Sequence, residues 1–144
     1  GQGASHAVAL EGAAQLKQKA ELHAEGFASG ELECGPLQLL NGATPLIAVA
    51  PWDSLFARTQ HAIEAVAAKG TPVTVLCDRR GEAALQGAAH EIIHLPEAHP
   101  LLMPVLADLP LQMIAHYVGE LRCHKQAAHR PLKRKLTVAA AAYS

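Results

Sequence analysis

Three short runs of continuously apolar residues recur along the chain, separated by longer segments of mixed polarity. The runs occupy residues 45–51 (PLIAVAP), 72–78 (PVTVLCD) and 91–95 (EIIHL). Each is too short for a buried helix and is bounded by Pro, Gly or Asp, a pattern typical of strands that are buried on both faces. The pattern therefore predicts three buried strands.

The segments around these runs have the composition of helices. Residues 5–26 are rich in Ala, Leu, Glu, Gln and Lys, and residues 53–69 close on a glycine. A long apolar segment, residues 101–122, is interrupted by Pro104 and Pro110, so a helix is predicted only after Pro110. Buried strands that alternate with helices predict an α/β fold, a parallel sheet sandwiched by helices in the doubly wound, flavodoxin-like manner.

Composition narrows the class of protein. The 144 residues suit one domain, and the formal charge is −1, which does not support nucleic-acid binding. Three cysteines without C-x-x-C spacing suit a reducing cytoplasm better than a disulfide scaffold. No apolar run is long enough to span a bilayer, so no membrane partner is expected.

Residues 90–94, HEIIH, spell the text of a zinc-peptidase motif. That motif works on a helix, where both imidazoles point at one metal. The adjacent Ile92 and Ile93 and the following Pro96 favour a strand instead, in which His90 and His94 would lie ~13 Å apart. No metal site is therefore predicted.

In open parallel sheets, ligands bind beyond the carboxyl ends of the strands. The loops to consider are residues 1–5, 51–54 and 78–81, with Gly3 and Ser5 as candidate ligand-binding residues. Gly1 and Gly3 form a G-x-G, but His6 stands where a dinucleotide fingerprint needs glycine, so no cofactor is expected. Trp52 has two open interpretations, a lid over the ligand loop or a ring at a subunit contact.

Glu11, Gln15 and Gln18 are spaced to share one stripe of the first predicted helix. Periodicity alone favours a solvated face. A functional face is the alternative.

The stretch ALEGAAQLKQKAELHAEGFASGELECGPLQLL resembles the sugar isomerase (SIS) family, in the form of the second SIS subdomain of glutamine:fructose-6-phosphate aminotransferases. The similarity continues through PLIAVAP and HLPEAHPLLMPVLADLPLQMIAHYV to LKRKLTVA. It implies that residues 1–138 form a second SIS subdomain without its first strand and without the preceding subdomain, followed by a tail at 139–144. It also implies a hexose or amino-sugar phosphate as ligand, a homodimer or larger homo-oligomer, and a cytoplasmic location.

The resemblance also implies which positions carry the chemistry. Gln18 stands at the position of the family's proton-shuttling glutamate, Gln15 at that of a lysine on the same helix, and Cys34 at that of a histidine that reaches the site from a neighbouring subunit. Glu11 alone keeps the family's residue type. A glutamine amide cannot accept a proton near neutral pH, and an unperturbed thiol with a pKa of about 8.5 is a poor replacement for imidazole.

The family's C-terminal lysine aligns with Arg134, with Lys135 beside it. Arginine can hold a phosphate but does not form an imine readily. The Ser/Thr phosphate loop of the first SIS subdomain has no counterpart here, so this chain alone is expected to lack half its ligand site. Two hypotheses follow: an isomerase, aminotransferase or amino-sugar-phosphate deaminase in which Glu11 or Glu21 acts as base, or a non-catalytic sugar-phosphate-sensing or dimerisation module.

Overall fold

The computed structural model describes residues 1–129, with side chains described for residues 1–125. Arg134 and Lys135 lie outside the described residues. The described elements are α1 (Ala4–Ala20), a 3₁₀ helix (Ser29–Cys34), α2 (Pro36–Leu39), β1 (Leu46–Val49), α3 (Phe56–Ala67), β2 (Val73–Cys77), α4 (Arg79–Leu85), β3 (Glu91–His94) and α5 (Met103–His129).

The three predicted strands form one parallel sheet in the order β1-β2-β3. Ala48 pairs with Val75 across the first ladder, and Val75 pairs with Ile92 across the second. Consecutive parallel strands need a crossover between them, which α3 and α4 supply. The predicted parallel α/β fold is therefore confirmed.

Both faces of the sheet are covered, because alternate residues of β2 enter different hydrophobic clusters. Val73, Val75 and Cys77 pack with residues of the 3₁₀ helix, α3 and α4. Leu76 packs on the other face with residues of α1 and α5. This arrangement explains why β2 is apolar at nearly every position rather than at every second one.

The first helix is shorter than predicted. It ends at Ala20 because Glu21 adopts a left-handed conformation, with φ 51°, and the following Leu22 donates its N–H to the Leu16 carbonyl at 3.3 Å. The chain then turns back along α1. Gly26 is needed there for close approach rather than as a helix stop, because a Cβ on it would lie 2.8 Å from Leu10 Cα.

The last helix is longer than predicted. It starts at Met103 and passes through Pro110. Pro110 removes one backbone hydrogen bond, but its buried neighbours Ala107 and Leu111 hold this part of the helix against the sheet. Tertiary packing thus overrides the local break.

The short helix α4 was not predicted. It begins directly after β2, where the Asp78 carboxylate accepts a hydrogen bond from Arg80 N at 3.0 Å and so caps the helix. Gly81 lets α4 approach α3, since a Cβ there would meet the Phe56 ring at 2.8 Å.

The cysteines divide into one buried and two exposed residues. Burial, with smaller contributions from Asp78 and Glu82, raises the pKa of Cys77 to about 11, so Cys77 is a packing residue and a poor nucleophile. Cys34 and Cys123 are exposed.

An apolar surface runs along the outer side of α5. Met113, Tyr117 and Leu121 are all more than half exposed, and with Ile93 of β3 they line a groove of about 400 Å³. Despite this surface, no helix among the described residues has the length and hydropathy to cross a membrane.

Candidate functional site

The loops that follow the strands meet at the carboxyl edge of the sheet, as predicted. They enclose a cleft of about 170 Å³ together with the start of α1 and the segment before α5. The polar and aromatic residues that line this carboxyl-edge cleft are Ser5, Trp52, Asp53, Asp78, Arg80 and Glu97. The cleft is the place where a fold of this type binds ligands.

Asp78 holds two of these loops together. Its carboxylate accepts hydrogen bonds from Trp52 N at 2.7 Å and from Arg80 N at 3.0 Å, and the residue is only 5% exposed. Because both oxygens are engaged by backbone N–H groups, Asp78 fixes the floor of the cleft rather than offering a base. Sequence reasoning identified the loop but not this role.

Trp52 forms a wall of the cleft. Its ring centroid lies 4.6 Å from that of Phe56, and the Arg80 guanidinium carbon lies 5.8 Å from the indole centroid. That distance allows a cation–π contact. The indole therefore orients Arg80 at the cleft, whichever of the two interpretations of Trp52 holds in a larger assembly.

The two candidate ligand-binding residues at the start of α1 differ in their surroundings. Ser5 is 7% exposed and lines the cleft. Gly3 has φ 58° and packs against Leu55, where a Cβ would come within 2.8 Å of Cδ1. Gly3 thus shapes the entry into α1, and Ser5 is the one that faces the cleft.

The polar stripe on α1 is only partly solvated. Glu11 and Gln18 are exposed, but Gln15 is 6% exposed and packed against α5. Its Nε2 donates to Glu11 Oε1 and to Asp108 Oδ1, both at 3.1 Å. The interpretation of Gln15 as part of a solvated face is therefore wrong, because α5 covers this position.

Asp108 is a residue that sequence reasoning missed. Its Oδ1 accepts from Gln15 and its Oδ2 from Gln112 Nε2 at 2.6 Å. The Gln15 amide therefore joins the carboxylate of Glu11 on α1 to that of Asp108 on α5. The contact spans 93 positions of sequence, so no local pattern signals it.

Gln15→Ala is expected to lower the free energy of unfolding by about 1–3 kcal/mol, because it leaves polar groups at the α1–α5 contact without their hydrogen bonds. Gln18→Ala is the matched control on the exposed side, with an expected change within about 0.5 kcal/mol. Urea unfolding of both variants checks this expectation. Equal effects would show that the Gln15 bonds add nothing to stability.

Within one chain, Cys34 does not lie beside the polar stripe of α1. It ends the 3₁₀ helix, whose principal neighbours are α2 and α3 rather than α1. A role for Cys34 beside Glu11 and Gln18 would thus need a second copy of the chain, as the resemblance implies.

The residues of the zinc-like text lie on or beside β3, as predicted for a strand. His94 Nε2 lies 3.8 Å from Glu82 Oε2, and both side chains are partly exposed. Within residues 1–129, no group of three or more His, Cys, Asp or Glu side chains is arranged to hold a metal ion.

A parallel three-stranded sheet with helices on both faces and a cleft at its carboxyl edge defines a class of ligand-binding α/β domain. Within that class, the SIS domain family model matches residues 1–118, and the chain belongs to this family. The resemblance noted from the sequence is thereby confirmed.

The most similar relatives include glutamine–fructose-6-phosphate aminotransferases (isomerizing). Those of Bartonella henselae and Rhizobium meliloti are each 36% identical over 138 residues, which is 96% of this chain and 23% of the relative. The solved C-terminal domain of the Francisella tularensis glucosamine-fructose-6-phosphate aminotransferase is 32% identical, with a TM-score of 0.78, over 83% of this chain and 33% of that one. The chain spans about a quarter of the curated relatives it matches.

Proposed function

We propose that this chain is the sugar-phosphate-binding SIS domain of a polypeptide related to the aminotransferases, with altered catalytic positions. The observation that carries the proposal is the similarity to those enzymes along 96% of the chain. Those relatives are named as fructose-6-phosphate aminotransferases, so a hexose or amino-sugar phosphate is the proposed ligand class. Arg134, Lys135, Gly3 and Ser5 are the proposed ligand-binding residues, together with Glu11.

The chemistry of the stripe supports binding more strongly than the parent reaction. Moving a proton between two sugar carbons needs a group that can accept it. Gln18 has an amide instead. Gln15 uses its amide nitrogen for Glu11 and Asp108. Neither glutamine can act as the base.

A second candidate function, an active isomerase, aminotransferase or amino-sugar-phosphate deaminase, is favoured by one contact. Gln15 holds the Glu11 carboxylate at 3.1 Å, so Glu11 is oriented. Glu21 is a weaker candidate base, because it lies past the end of α1 in a left-handed conformation. Glu11 is the base in this alternative.

The proposal extends to assembly and location. The apolar surface on α5, with Met113, Tyr117 and Leu121 exposed, supports contact with further protein surface in a homodimer or larger assembly. The relatives are about four times as long as this chain, so a preceding SIS subdomain could share that surface. A cytoplasmic location is proposed from the cysteine usage.

Saturable binding of fructose 6-phosphate and glucosamine 6-phosphate to the full natural polypeptide is expected, with dissociation constants of about 1 µM to 1 mM, the usual range for metabolite sites. Isothermal titration calorimetry measures it. Unphosphorylated fructose and glucosamine are the controls and are expected to bind far more weakly. If neither sugar phosphate binds at a concentration of about 10 mM, tenfold above the upper end of this range, the proposal is wrong.

A further inference from the structure

Side chains of opposite charge line the carboxyl-edge cleft without forming ion pairs with each other. Arg80 supplies a guanidinium, while Asp53 and Glu97 supply carboxylates. All ion pairs among the described residues join a histidine to a glutamate, so Arg80 is paired with none of these carboxylates within 4.0 Å. A cation and anions that share one cleft without neutralising each other leave both charges for a ligand.

Ser5 adds a polar group that points to a ligand. Ser5 is only 7% exposed and lines the cleft. No hydrogen bond among the described side chains uses its hydroxyl group. This hydroxyl is not among the enclosed side-chain atoms that lack a partner, so it is accessible from the cleft and can bond to water or to a ligand there.

Two long helices begin at the same cleft. Ala4 and Ser5 open α1, while Met103 and Pro104 open α5. The Ser5 N–H of α1 already donates to the Gln2 carbonyl at 3.1 Å. Helix N-termini carry partial positive charge and favour anions. The Ser5 and Arg80 side of the cleft is therefore the anion-binding side.

The opposite charges limit what else can enter. Asp53 uses Oδ1 to accept from Leu55 N at 2.8 Å, which leaves its other oxygen for a ligand, and Glu97 is exposed. These carboxylates and Asp78 make the cleft less favourable for a ligand with negative charge alone than for one that also carries an ammonium group. A ligand with positive charge alone would be repelled by Arg80 and by the helix termini.

We propose that the carboxyl-edge cleft binds a small zwitterion, a molecule with one phosphate or carboxylate group and one ammonium group. Arg80 and Ser5 bind the anionic group, and Asp53 and Glu97 bind the ammonium. An amino-sugar phosphate and a free α-amino acid share this chemistry. Only the first of these rests on the proposed sugar-phosphate function.

The full natural polypeptide is titrated by calorimetry with glucosamine 6-phosphate, glucose 6-phosphate, N-acetylglucosamine 6-phosphate and glutamine. A charge-assisted hydrogen bond contributes about 1.5–3 kcal/mol, so the ammonium is expected to improve affinity by roughly 10–100-fold over both amine-free phosphates. Arg80→Gln is expected to weaken binding of the zwitterion by a similar factor. Glu97→Gln is expected to reduce the preference for the amine.

Arg79→Gln is the matched control, because Arg79 neighbours Arg80 and is exposed but does not line the cleft. It is expected to change affinity by less than about twofold, as a surface charge does. A melting temperature equal to that of the natural polypeptide excludes a folding defect in each variant. Equal effects of Arg79→Gln and Arg80→Gln would overturn the proposal.

The outcomes separate this inference from the proposed function. Binding of all three sugar phosphates with equal affinity, insensitive to Arg80→Gln, would overturn the zwitterion site while the sugar-phosphate function stands. Glutamine binding that depends on Arg80, without any sugar-phosphate binding, would support the site and contradict the proposed function. Binding of none of the four probes would overturn both.

Discussion

The double variant Gln18→Glu, Cys34→His is expected to increase solvent deuterium exchange at C1 of fructose 6-phosphate by about 10²–10⁴-fold over the natural polypeptide, the range that a positioned acid–base group contributes. The reason is that Gln18 cannot accept a proton, whereas a carboxylate can. Cys34 stands where the resemblance implies a ring-opening histidine. Mass spectrometry of the recovered sugar measures the exchange without requiring net product.

A control variant distinguishes the effect of a proton-accepting group at position 18 from the effect of side-chain size. Gln18→Met has a similar length without an ionisable group and is expected to leave exchange at the natural level. Exchange by the natural polypeptide at the level of the double variant would contradict the expectation and favour the active-enzyme alternative. Glu11→Gln would then abolish that exchange if Glu11 is the base.

Gly119→Ala is expected to lower the free energy of unfolding by about 1–3 kcal/mol, as overpacking of a rigid contact does. A Cβ at Gly119 of α5 would collide with the backbone carbonyl of Lys19, at the end of α1. In an unobstructed helix interior, the same change stabilises by about 0.5–1 kcal/mol. The sign of the change, measured by urea unfolding, therefore tests the contact directly.

Gly12→Ala is the matched control on the facing helix. Its Cβ would lie 2.8 Å from Leu111 Cδ1, the end of a side chain that can move. Its cost is expected to be smaller than that of Gly119→Ala. A stabilising Gly119→Ala would show that α1 and α5 do not pack as closely as described.

The strands and the place of the cleft could be predicted because their signals are local. A continuously apolar run such as β2 is buried on both faces wherever it sits, so it predicts a covered parallel sheet. Once the strands are parallel, the loops after them meet at one edge, and Trp52, Asp78 and Arg80 indeed line one cleft there. The two interpretations of Trp52 could not be separated from the sequence because its neighbours come from other loops.

Helix ends and buried polar contacts could not be predicted in the same way. The early end of α1 depends on one left-handed residue, Glu21. The path of α5 through Pro110 depends on packing against the sheet, which outweighs a local break. The roles of Arg134 and Lys135 as ligand-binding residues stay predictions, because both lie outside the described residues.

The sequence by itself determined the fold class and the family resemblance, because periodicity, composition and residue identity are properties of the chain. That the catalytic positions are altered at Gln15, Gln18 and Cys34 is what the resemblance implies and stays a prediction. Only the tertiary structure decided that Gln15 is buried and joins Glu11 to Asp108, and that Arg80 lies at the cleft without an ion pair to any side chain of residues 1–125. The physical reason is that hydrogen bonds and charge pairing depend on distances of a few ångströms. Those distances join residues far apart in sequence, and packing alone sets them.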